Sequence, residues 1–222
     1  MTEDLQKRKA AKEHQFKKLV EAFRYRLLGM ATYDKEWYKA LQALDFGMAH
    51  HPGFRKDNVT PAFMHQVQIA SHIMTMLPHL MFPVRTIVAI LLHDTPEDTN
   101  VSHEEIRDMF GAESMVDIEL LTKEYRGKKK EPEEYFMNLA MNPVSSVGKG
   151  GDRVNNQHTM AGVFKLEKQI EYCKETETWF FKFLKEARRR FPQQELIYEN
   201  LKFTLQTQLN IFRSIHAQGH AA

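Results

Sequence analysis

The chain has 222 residues, 42% of them hydrophobic and 27% charged, which excludes a disordered or fibrous protein and suits a single globular domain with a sizeable core. Its 31 Lys and Arg against 29 Asp and Glu leave a formal charge of +2, too little for a protein that wraps nucleic acid by neutralising phosphates. The lone Cys173 excludes an intrachain disulfide and a Cys-rich zinc site.

Residues 1–18 are charged throughout and lack the apolar stretch of a secretory signal. Phe16, Leu19, Val20, Phe23 and Leu27 form a stripe at helical spacing, so a helix is expected over 4–30. The segment 52–61, bounded by Pro52-Gly53 and Pro61, reads as a loop. Val67, Ile69, Ile73, Met76 and Leu77 predict a helix ended by Pro78. Pro83 suits the first turn of a short buried helix through Leu92. The apolar run Ile87–Leu92 is the longest in the chain and falls far short of the ~20 residues of a membrane span. Residues 96–101 read as a loop. Ser102-His103-Glu104-Glu105 fits a capping box, and Gly111 fits the stop of the helix it starts. Further loops are expected over Arg126–Pro132 and over the glycine-rich Val147–Gly151, after which Asp152 opens another helical stretch. Leu196, Leu201, Leu205, Leu209 and Phe212 predict a long final helix. The fold class is all-α with no sheet of consequence: a core over about 35–170, with the first helix and C-terminal helices over 171–217 packed on it. A soluble, cytoplasmic protein is the expectation.

Chemistry concentrates in His93-Asp94-Thr95-Pro96-Glu97-Asp98-Thr99. Adjacent side chains diverge on a straight helix, so His93 and Asp94 share a metal only where a helix ends, and Pro96 signals that ending. His65 follows Phe54-Arg55-Lys56 and Pro61, and Asp152-Arg153-Val154-Asn155-Asn156 comes later. His65, His93, Asp94 and Asp152 together offer two imidazoles and two carboxylates. This set suits a borderline-hard divalent ion such as Mn²⁺ or Fe²⁺, with positions left for water and a phosphate oxygen.

The order His … His-Asp … Asp resembles that of the HD-domain metal phosphohydrolases. The pattern His-Asp-x-x-Glu-Asp is similar to the hydrolase domain of the RelA/SpoT homologue family, which cleaves the alarmones ppGpp and pppGpp. The resemblance runs from about Tyr38 to Lys165. It includes Ala49-His50, Phe54-Arg55-Lys56, His65, Ala89–Thr99, Phe110-Gly111, Leu121-Thr122-Lys123, and Asp152-Arg153 with Asn156 and Thr159. It implies an HD-domain helical bundle that binds Mn²⁺, or Fe²⁺, Co²⁺ or Zn²⁺ in its place, through His65, His93, Asp94 and Asp152. Glu97 and Asp98 would position and deprotonate the attacking water. Arg55 and Lys56 would face the nucleotide by stacking and phosphate contacts, and Asn156 and Thr159 would line its ribose and phosphate side. The implied activity is Mn²⁺-dependent removal of the 3′-pyrophosphate, on a chain with no room for the alarmone synthetase region. Expected partners are a small nucleotide, with neither membrane nor nucleic acid, and a homodimer is left open.

The chain departs from that pattern in several places. Asn58–Phe63 replaces a Gly-x-Pro-Tyr approach, Gln66 replaces a Pro after His65, and Asn155 and His158 stand where His and Arg are common. Gly148, Gly150 and Gly151 are read as making the approach to Asp152 flexible. These changes keep open another nucleotide substrate (a nucleoside mono- or triphosphate, or NADPH); a catalytically silent nucleotide- or protein-binding module is the third reading, against which the intact His65, His93, Asp94, Glu97, Asp98 and Asp152 weigh. The other histidines, His50, His51, His72, His79, His103 and His158, read as surface or packing residues; His72, seven residues after His65 on the same helical face, is the rival ligand, and contact with substrate is the alternative for His51. The runs Arg126–Lys130 and Arg188–Arg190 read as a solvated loop and a helix C-terminus, with the first as an alternative holder of an anionic substrate. Trp37, Trp179, Phe164, Phe180 and Phe183 read as packing, with closure of the pocket or a dimer face as alternatives.

Overall fold

The computed structural model describes residues 3–219. Helices α1 (Glu3–Ala31), α2 (Trp37–His50) and α3 (Met64–Ile73) come first, followed by a 3₁₀ turn over Met74–His79. The first half of α1 is largely solvent-exposed. Its second half buries Val20, Phe23, Leu27 and Ala31 against α2 and α3, as the apolar stripe requires. The expected helix over Val67–Leu77 is split. Met76 leaves helical geometry at φ −112° and ψ 19°, two residues before Pro78, which has no N–H to continue the helical ladder.

Helix α4 (Pro83–Leu92) is the centre of the molecule. Every residue from Thr86 to Leu92 is buried, and the helix packs on α2, α3, α7 and α9. It ends at His93, and the chain turns there before the one-turn helix α5 (Thr95–Asp98), which Pro96 starts. The expected 96–101 loop is therefore helical in its first part. Helices α6 (His103–Phe110) and α7 (Ala112–Leu121) meet at Gly111, whose φ of 96° is unfavourable for residues with a Cβ. The Ser102 hydroxyl caps α6 by accepting from the Glu105 N–H at 3.1 Å. The only sheet among the described residues is a hairpin of β1 (Glu124–Tyr125) and β2 (Lys128–Lys129). Arg126 and Gly127 turn it with positive φ values of 49° and 77°.

Helices α8 (Pro132–Ala140) and α9 (Pro143–Thr159) follow. Asn142 caps α9 by accepting from the Val144 and Ser145 N–H groups, both at 2.8 Å. The loop expected over Val147–Gly151 is instead the buried interior of α9, and Asp152 lies in mid-helix. The glycines serve close approach. A Cβ at Gly150 would stand 2.7 Å from Leu201 Cδ1, and one at Gly151 would stand 2.9 Å from Ile69 Cγ2. They draw neighbouring helices onto α9, and the approach to Asp152 is packed and rigid where flexibility was expected.

Helix α10 (Leu166–Glu175), a π-helical turn over Thr176–Phe180, α11 (Phe181–Arg190) and α12 (Glu195–Gly219) complete the chain. Helix α12 packs on α9 and α11, and Ser146 and Tyr198 share a buried hydroxyl contact at 2.8 Å. Phe180, Phe183 and Trp37 are core residues, and Trp179 packs against that core. Arg188–Arg190 form the last turn of α11, as expected. No helix among the described residues is long and apolar enough to cross a membrane.

Candidate metal centre

His65 from the first turn of α3, His93 from the end of α4 and Asp152 from the middle of α9 are buried together. One ligating atom from each lies within 4.8 Å of the others. The His93 Nδ1–H donates to Ile90 O at 2.8 Å, and the His65 Nδ1–H donates to Asn155 Oδ1 at 2.7 Å. These bonds occupy both Nδ1 atoms and turn both Nε2 atoms toward Asp152, where each can give its lone pair to a cation. His65 Nε2 is 3.0 Å from Asp152 Oδ1 and His93 Nε2 is 3.8 Å from it. Two lone pairs facing one carboxylate oxygen would repel, so this arrangement calls for a positive species there, a proton on the imidazole or a metal ion in its place. His93 Nε2 is buried and finds no aligned hydrogen-bond partner, although Asp94 Oδ1 stands 3.0 Å away. This donor set fits a divalent cation.

The electrostatics agree with the geometry. Burial opposes charge on His93, but the Asp94 and Asp152 carboxylates outweigh it and hold the imidazolium well above its ordinary pKa. The same field attracts a metal ion. Asp94 is half-buried and accepts from Gln66 Nε2 at 3.2 Å. Against its own burial, His93 holds it down to about 2. Gln66 and Asn155, both departures from the family pattern, thus contact metal-site residues directly.

Asp152 is anchored on its other side by Lys149. This half-buried ammonium lies 2.8 Å from Asp152 Oδ2, and with the imidazoles it keeps Asp152 ionised against the cost of burial. Asn156 Nδ2 donates to Asp152 Oδ1 at 2.6 Å, and its Oδ1 accepts from Arg55 Nη2 at 3.1 Å. The sequence reading missed Lys149. The available signal was its position three residues before Asp152 on one helical face, and reading the glycines as a loop concealed it.

These groups open into a cavity of about 440 Å³. His51, Arg55, Lys56, Glu97, Asp98 and Asn156 are among the residues that line it. The Glu97 carboxylate accepts from the backbone N–H groups of Lys123 and, at 2.9 Å, Glu124, tying α5 to β1. Both acids stay open to solvent, yet the surrounding wall desolvates them enough to raise their pKa values, and Asp94 raises Asp98 further. Lys123, from the bend just before β1, and Arg153, Tyr172 and Glu175, from α9 and α10, form another part of the wall.

Thr159 is not brought into this cavity. Its hydroxyl donates to Asn155 O at 3.0 Å, within its own helix. His72 faces Asn200 on α12, away from the other imidazoles. Arg126 lines a separate cleft beside Asp98, and Lys130 reaches Glu119 O at 2.5 Å.

Residues 43–128 match the HD domain family. The chain is 30% identical over 152 residues to a guanosine-3′,5′-bis(diphosphate) 3′-pyrophosphohydrolase of Aquifex aeolicus, covering 66% of this chain and 21% of that protein. It is 31% identical over 143 residues to a GTP pyrophosphokinase rsh of Brucella ovis, covering 61% of this chain and 18% of that protein. It is 28% identical over 134 residues to the bifunctional (p)ppGpp synthase/hydrolase SpoT of Escherichia coli, covering 57% of this chain and 18% of that protein. The chain thus spans about a fifth of the length of these relatives. Among solved structures, one described as a metazoan ortholog of SpoT that hydrolyses ppGpp superposes with a TM-score of 0.57 at 19% identity, covering 73% of this chain and 93% of the other. That likeness establishes a shared helical fold.

Proposed function

From the premise that this chain carries an HD domain homologous to the SpoT and Rsh proteins, we propose that it is a metal-dependent phosphohydrolase removing the 3′-pyrophosphate from ppGpp and pppGpp. The observation that carries this reading is the clustering of His65, His93 and Asp152 beside Asp94, with Asp98 in the same cavity. His65, His93, Asp94 and Asp152 would hold the ion, with Mn²⁺ as the expected metal. Such an ion supplies Lewis-acid chemistry, lowering the pKa of a coordinated water and offsetting phosphate charge.

The chain's own residues do the rest. Asp98, with its pKa raised by burial and by Asp94, accepts the proton of the attacking water. Glu97 holds α5 against β1 and so keeps Asp98 in place. Arg55 and Lys56 meet the nucleotide, and Asn156 links Arg55 to Asp152, so that substrate and metal site share one hydrogen-bonded frame. Lys149 fixes the Asp152 carboxylate. Thr159 has no ribose-side role in this reading, because it does not line the cavity. The remaining part of this reading is a cytoplasmic enzyme acting on a small nucleotide.

Purified protein with Mn²⁺ is expected to release pyrophosphate, not orthophosphate, from ppGpp, and a chelator is expected to stop it. Turnover of GTP or NADPH with ppGpp untouched would replace the substrate assignment. Asp98→Asn is expected to keep Mn²⁺ binding and lose at least about 10²-fold in kcat, whereas Asp94→Ala loses the metal. Equal behaviour of the two variants would reject these roles.

A further inference from the structure

Glu175 has no part in the chemistry above, yet it is built into the cavity wall. It is the last residue of α10, a helix that buries none of its side chains and packs chiefly on the π-helical turn after it. Both of its carboxylate oxygens are engaged. Oε1 accepts from Lys123 Nζ at 2.7 Å and Oε2 from Arg153 Nη2. The Arg153 guanidinium is buried, and its Cζ lies 4.3 Å from the ring centres of both Tyr172 and Phe180. Held this way, it cannot follow an anion that moves, so an anion must come to it. An ammonium and a guanidinium aimed at two oxygens of one small anion also suit a phosphate group. The cation nearest the metal cluster, Lys149, is already committed to Asp152.

We propose that Glu175 is a resident counter-ion that competes with a ligand phosphate for Lys123 and Arg153, and so determines which polyphosphorylated molecules the cavity accepts. The substrate class rests on the phosphohydrolase reading, whereas the competition itself does not. A phosphate arriving at this wall must displace the Glu175 carboxylate from Lys123 and Arg153. A ligand whose phosphates stay beside the metal cluster leaves Glu175 in place and meets no such competition. Selectivity then comes from a charge that one ligand must displace and another need not.

The test uses inorganic triphosphate titrated calorimetrically into the full chain, with divalent ions chelated so that only protein cations are read. Glu175→Gln is expected to bind it about tenfold tighter than the unmodified chain, the scale of one charge-assisted hydrogen bond. Glu175→Asp, which keeps the charge, should stay near the unmodified value. Adding Lys123→Met to Glu175→Gln should erase the gain. A loss of mere structural support would weaken binding in both single variants. Should Glu175→Gln fail to fold, carbon-13 NMR of glutamate-labelled, unmodified protein reads the same displacement. The Glu175 carboxylate resonance is expected to move as triphosphate binds. Unchanged or weaker binding by folded Glu175→Gln, or a static Glu175 resonance while the Lys123 amide shifts, would overturn the proposal. Neither readout requires turnover, so ppGpp hydrolysis by the unmodified chain tests the functional reading separately.

Discussion

Asp152 is the residue on which the site turns. Its Oδ1 faces His65 and His93 and accepts from Asn156, while its Oδ2 meets Lys149. A carboxylate buried this deeply keeps its charge only because opposite charge and hydrogen-bond donors surround it. Removing one member of a buried pair costs more than removing both, because the survivor is left charged without a partner. Lys149→Met is therefore expected to lower the stability of the metal-free chain by about 3 kcal/mol. The double variant Lys149→Met/Asp152→Asn should recover most of that loss. Urea unfolding of the two single variants and the double variant checks this, and additive losses would show that the two side chains do not act as a pair. His93 and Asp94 were legible from sequence because their chemistry is written in adjacent residues with a Pro beside them. Lys149 and Glu175 were not. The partner of Glu175 at Lys123 is 52 residues away in the chain, and no local pattern announces such a pairing.

Among the elements, α4 and α9 do most to place the site, and they differ in how plainly the sequence shows them. The apolar run of α4 is buried on every side, so its helix, its burial and its end at His93 all follow from pattern. In α9 the same physics is hidden. Glycine disfavours helices on backbone grounds, so Gly148-Lys149-Gly150-Gly151 reads as a loop until the neighbours are known. Packing overrides that propensity, because Leu201 and Ile69 occupy the space that side chains on Gly150 and Gly151 would need. Gly150→Ala is accordingly expected to destabilise by about 1–3 kcal/mol through overpacking. Gly29→Ala, on α1 with nothing within 4 Å of the added carbon, should stabilise by about 0.5–1 kcal/mol. Thermal melts of the two variants should move in opposite directions, and a stabilised Gly150→Ala would remove the close-packing explanation for α9.

At the scale of the whole molecule, three stretches far apart in sequence end at one point because α3 and α9 both pack on α4 and on each other. The all-α class and the helical stripes were legible from apolar spacing. The convergence was legible only through resemblance, since spacing along a chain does not say which helices touch. For the C-terminal helices, packing on the core was legible from apolar spacing, but the side chains they bring to the cavity were not. Helix α12 supplies a long packing face for α9, and α10 brings Glu175 and Tyr172 to the cavity. The account rests on one cation held by side chains from α3, α9 and the α4–α5 turn. Anomalous diffraction from crystals soaked in Mn²⁺ tests this most directly. The expected result is a single strong peak about 2 Å from His65 Nε2, His93 Nε2 and oxygens of Asp94 and Asp152. No peak at saturating Mn²⁺, or a peak that leaves out His65 or Asp152, would contradict it.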